Sequence, residues 1–157
     1  MSETTYPPLD IASEYARVTD HLISLVDCVP DDKLEWSPKP ELWNLKGILL
    51  HVAWARHGWL GFTVQDGETS PDVLRAGQTR DGLKEQLRLS GERLQRFLAD
   101  PGKLAGTYED TDEEGATRTV TGHWVAYHLL EHDIHHRANV FDYLALLGIE
   151  HPQIETP

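Results

Sequence analysis

The sequence predicts an all-α protein, a four-helix bundle with a long crossover between helices 2 and 3. Two observations predict it: apolar residues recur at helical spacing in four separate windows, and Pro, Gly and polar clusters punctuate the chain between them. A third agrees, since no window alternates as a strand would, save a short extended piece at Arg118 to Val120.

The text YPP before residue 9 reads as extended or turn-like. Ile11, Tyr15, Val18, Leu22, Leu25 and Val29 then share one helical face, which predicts a helix from about 10 to 28. Pro30, Pro38 and Pro40 break that pattern and leave a loop. Asn44 can cap a second helix through about 64, carrying Leu45, Ile48, Val52, Ala55, Trp59 and Phe62. The polar run from Gln65 to Gln78 is long enough to cross a bundle end. Thr79 can cap a third helix with Leu83, Leu87, Leu94 and Phe97 on its face, ended near Asp100 by Pro101 and Gly102. The stretch 101–120 contains EDTDEE and reads as a solvated acidic loop, since it lacks the ligand spacing of an EF-hand. Thr121 can cap the last and longest helix, which stops at Gly148.

A length of 157 residues suits a single domain, with its core over about 9–148. A lone Cys28 in apolar company cannot form an intramolecular disulfide. The formal charge of −12 repels phosphate backbones, so no nucleic-acid partner is expected. No window is apolar enough for a membrane span, and MSETTYPPLD lacks the regions of a signal peptide, so a cytoplasmic location is expected.

Nine histidines are many for this length, and His128, His132, His135 and His136 fall close together on the predicted fourth helix. His128, His132 and His136 stack at i, i+4 and i+8, flanked by apolar residues, so their rings are expected to point into the bundle. Two histidines one turn apart can share a metal ion. His51, on the face of Ile48, Ala55, Gly58 and Phe62, is the candidate third ligand, with small residues at Gly47, Ala55 and Gly58 leaving room beside it. Paired core histidines held by hydrogen bonds are the bland alternative. His21, His57, His123 and His151 carry no motif and are expected at the surface.

The text HLLEHDIHHRAN, with WNLKGILLHVAWARHGW upstream, resembles the DinB/YfiT-like superfamily over roughly 9 to 148. That resemblance implies a four-helix bundle, commonly dimeric, with a divalent metal, often zinc or nickel, on one histidine of helix 2 and a His-x-x-x-His pair of the last helix. By motif position these are His51, His132 and His136. The family often continues with Arg-Gly-Gln where this chain has Arg137, Ala138 and Asn139.

Three neutral imidazoles with an open position can lower the pKa of a bound water or activate a bound thiol. The resemblance implies thiol-dependent chemistry, so the expected function is metal-assisted transfer of a low-molecular-weight thiol onto a small electrophile. His128 or Tyr143 is the expected proton shuttle. A metal-dependent hydrolase and a non-enzymatic, metal-stabilised binding module stay open as alternatives. A homodimer is expected as well, because Tyr127, Leu130, Ile134, Phe141 and Ala145 form a second apolar stripe on the last helix.

Overall fold

A computed structural model describes residues 8–153, so most of the expected YPP turn lies outside the described residues. The four long helices are α1 (Ile11–Cys28), α2 (Leu45–Gly58), α4 (Arg80–Leu98) and α6 (Gly122–Leu146), with short helices α3 (Val73–Ala76) and α5 (Pro101–Ala105) between them. α4 packs on both α1 and α2, and α6 closes the bundle against α2 and α1.

Each long helix starts where its sequence provides an oxygen for the free amides of the first turn. Asp10, Asn44, Thr79 and Thr121 accept from the backbone N–H of Ala12, Gly47, Gly82 and Trp124. Each such cap contributes about 0.5–2 kcal/mol over alanine. The crossover between α2 and α4 is fastened at its start by Arg93, which donates to both carboxylate oxygens of Asp66, to the Glu68 carbonyl and to Ser70 Oγ.

α2 runs without interruption into a π-helical segment, Trp59–Thr63. A π turn takes up more residues than an α turn and so rotates the later side chains out of phase with the earlier ones. That corrects the expectation for Phe62: Ile48 and Ala55 are buried, but Phe62 is 77% exposed.

The stretch 101–120 is not a solvated loop. After α5, Thr107–Thr111 (β1) and Thr117–Thr121 (β2) pair antiparallel, with Tyr108 opposite Val120 and Asp110 opposite Arg118. Only Val120 of β2 is buried, so the alternation that marks a half-buried strand is nearly absent from the text. Gly115 supplies a positive φ of 84° at the hairpin tip.

The core has two apolar halves. One gathers Leu22, Leu25, Leu49, Leu83, Val140 and Leu144, the other Tyr15, Leu60, Leu94, Val125 and Leu129. Across the bundle runs a buried polar layer: the Arg56 guanidinium of α2 donates to Thr19 Oγ1 of α1, to the Leu87 carbonyl and Ser90 Oγ of α4, and to Asp133 of α6. Both members of the Arg56–Asp133 ion pair have fully buried side chains. Tyr15 also ties α1 to α6 by donating its hydroxyl to the Ala126 carbonyl.

Candidate metal centre

On α6 the core stripe is Val125, Leu129, Asp133, Arg137, Val140 and Leu144. His128, His132 and His136 border this stripe instead of lying on it, so they are half-buried and open sideways. This corrects the expectation that their rings enter the bundle. The neighbouring α2 brings His51 against His132 and His136.

The His51 and His132 Nε2 atoms stand 2.9 Å apart. One ligand atom from each of His51, His132 and His136 can be chosen so that all lie within 4.8 Å of one another. With metal–nitrogen bonds of about 2.0–2.1 Å, two ligands of one ion are separated by about 2.9–3.4 Å. The His136 Nδ1 is buried without a hydrogen-bond partner, which a satisfied core histidine would not show. The donor set therefore fits a divalent ion, and it is the set expected from the sequence.

Burial first, then the neighbouring His132, holds the His51 imidazole down at about 4. His136 is likewise pulled down to about 4, by burial and then by His132, His51 and His135. Both rings are thus neutral at pH 7, the form that coordinates metal. The His132 Nδ1 lies 3.2 Å from Asp133 Oδ1. An ionised carboxylate only accepts, so Nδ1 carries the proton and Nε2 turns its lone pair toward His51.

Trp43 and Trp54 frame the centre. Trp43 sits 4.5 Å from the His51 ring and stacks on His136, and Trp54 stacks on His51 at 5.8 Å. Two clefts share His51 and Trp54 in their walls. One, of about 600 Å³, also touches His132 and is walled by Trp59, Phe62, Glu109 and Asp110. The other, of about 720 Å³, is walled by Leu42, Trp43, Leu74 and Glu113. The hairpin thus forms part of both walls, a contribution that sequence reasoning missed.

The remaining expected residues are dispersed. His128 stacks on Trp124 and meets the Trp59 edge, 6.4 Å from the His132 ring, and burial lowers its pKa. Tyr143 lies about two turns beyond His136, packs edge-on against Trp36, and lines neither cleft. His135 is exposed beside His136. His57 is not at the surface: it is 5% exposed, its Nδ1 is 3.1 Å from Arg93, and burial followed by Arg93 brings it down to about 4. His21 and His151 are half-buried through contacts with Phe141, while His123 is exposed as expected.

Fold and site together define a helical-bundle protein with a three-histidine centre suited to a divalent ion. The chain belongs to the DinB family, whose model matches residues 1–157. A DinB-like protein of Bacillus subtilis shares the fold with a TM-score of 0.67 at 19% identity, over 93% of this chain and 95% of that one. A DinB-like protein of Bacillus cereus does so with a TM-score of 0.65 at 16% identity, over 92% and 95%. Among curated proteins none matches.

Proposed function

We propose that this chain is a metal-dependent transferase that joins a low-molecular-weight thiol to a small electrophile, with zinc or nickel on His51, His132 and His136. The observation that carries it is the access to the three-histidine centre: His51 and His132 both line a cleft of about 600 Å³. Structural zinc sites are usually closed by four protein ligands, while catalytic sites keep a position for water or substrate. When bound, the ion supplies Lewis acidity that favours a deprotonated thiol or water.

The chain's own residues supply the rest. Asp133 holds the His132 ring in one tautomer, and Trp43 covers the His51 and His136 rings on the apolar side. As proton shuttle, His128 is favoured over Tyr143, because its ring neighbours His132 and adjoins the cleft wall at Trp59.

We propose a homodimer for the working protein. Leu130 and Phe141 of the second stripe pack into the chain's own core, but Tyr127 (57%) and Ile134 (42%) are exposed, as is Leu146 (67%) at the far end of α6. A two-fold contact is the commonest way to cover such a face.

The test is turnover. Metal-loaded protein should accelerate addition of some small thiol within a panel of electrophiles, and chelation should abolish the effect. Hydrolysis of simple esters without thiol transfer would select the hydrolase, and no metal-dependent turnover of either kind would select the binding module.

A further inference from the structure

The wall of the cleft that touches His132 follows one strip of helix, Trp54, Gly58 and Phe62, each about one turn from the next. Trp54 stacks on the His51 ring and is half-exposed. Phe62 is far more exposed and makes no ring contact among the described residues. The π-helical segment is what turns it out of the core and into this wall, and such segments are frequent at functional sites.

The fold does not require the glycine between them. Gly58 has a φ of −63° and a ψ of −53°, ordinary right-handed helix that any residue adopts. A Cβ added there would meet no atom within 4 Å, whereas at Gly77, Gly82, Gly91 and Gly122 it would come within 2.7 Å of a neighbour. A helical glycine is also less stable than alanine. What Gly58 provides is open space over bare backbone, in the same wall as His51 and His132.

The spacing suits a ring. Eight residues separate Trp54 from Phe62, about 12 Å of helix. Aromatic rings in contact have centroids about 4.5–7 Å apart, so one ring lying between two others spans about 9–14 Å.

We infer that this gap takes a planar aromatic ring of the substrate, lying over Gly58 between Trp54 and Phe62, with its reacting substituent toward His51 and His132. The inference rests on the transferase reading and makes its electrophile aromatic.

The experiment reads binding to zinc-loaded protein with no thiol present. The neutral fluorophore N-phenyl-1-naphthylamine brightens when its rings leave water, and titration gives its Kd. Gly58→Leu fills the gap and Phe62→Ser removes one ring; each should weaken the probe about two- to tenfold, the scale of an aromatic contact, with zinc content unchanged. Leu9→Ser, which removes an exposed leucine outside the cleft, should not weaken it. Benzyl alcohol should displace the probe better than cyclohexylmethanol, although the latter is the more apolar. Gly58→Ala should raise the unfolding midpoint by about 1–4 °C, the gain from a helical alanine in a chain of this size. An unchanged Kd in both Gly58→Leu and Phe62→Ser, an equal loss in Leu9→Ser, cyclohexylmethanol as the better competitor, or a lowered midpoint in Gly58→Ala would each overturn the ring site. Thiol turnover alongside any of these would leave the transferase reading standing, while gap-dependent binding with no thiol turnover would sink that reading and spare the ring site.

Discussion

The Asp133 carboxylate joins the core of the bundle to the three-histidine cluster: Oδ2 accepts from Arg56 Nε at 2.8 Å, and Oδ1 faces His132 Nδ1 at 3.2 Å. Arg56 is fixed in turn by groups from α1 and α4, so all four long helices bear on the orientation of one imidazole. A carboxylate or carbonyl behind a ligating histidine fixes its ring and raises its basicity.

Asp133→Asn keeps the shape but can present an N–H where His132 needs an acceptor. Metal affinity should fall about 10–100-fold, read by competition with a chromogenic chelator, and the cobalt(II) spectrum should change. Asp133→Ala should do more, because it strands the fully buried Arg56 charge; a loss of about 3–5 kcal/mol in denaturant unfolding is expected.

Acid should destabilise the metal-free protein. His51, His57 and His136 are each held down to about 4 when folded, against an unfolded value of about 6.5. Between those values the unfolded chain binds more protons, so stability is full above about pH 6.5 and falls progressively toward pH 4. Denaturant titrations of metal-free protein across that range check the sign. In metal-loaded protein the fall should be steeper, since protons also displace the ion.

The junction between α5 and α6 is close-packed at Gly122, where a Cβ would come 2.1 Å from the Lys103 carbonyl oxygen and 2.7 Å from Leu104 Cα. Gly122→Ala should cost about 1–3 kcal/mol as an overpacked contact. Thermal unfolding measures it, and an unchanged midpoint would mean that α5 yields freely.

The proposed dimer should show about twice the 17.8 kDa chain mass by light scattering at micromolar concentration. Ile134→Glu should shift it toward monomer. Phe141 serves less well as a probe, because its ring stacks on His151 at 4.1 Å and packs into the chain's own core.

Four helices, three of their four caps and the His132–His136 pair are legible in the sequence because each has a local signature, whether an apolar period of 3.6, a polar residue before it, or a turn-spaced pair. The hairpin has none: β1 and β2 are largely exposed, so EDTDEE reads as solvent-facing text although it walls both clefts. Asp133 does not stand out among the histidines around it, yet it falls four residues after Leu129 on the buried stripe of α6. A charge in such a position needs a buried partner, and Arg56 on α2 is the one the structure provides. His57 is hidden for a related reason, since its burial depends on Arg93 far along the chain.

Metal content of untagged protein tests the central claim most directly. Elemental analysis should find about one divalent ion per chain, and His51→Ala, His132→Ala and His136→Ala should each lose most of it while staying folded by circular dichroism. Full occupancy in all three variants, or no metal in wild type even after incubation with zinc and with nickel, would contradict the assignment of this centre.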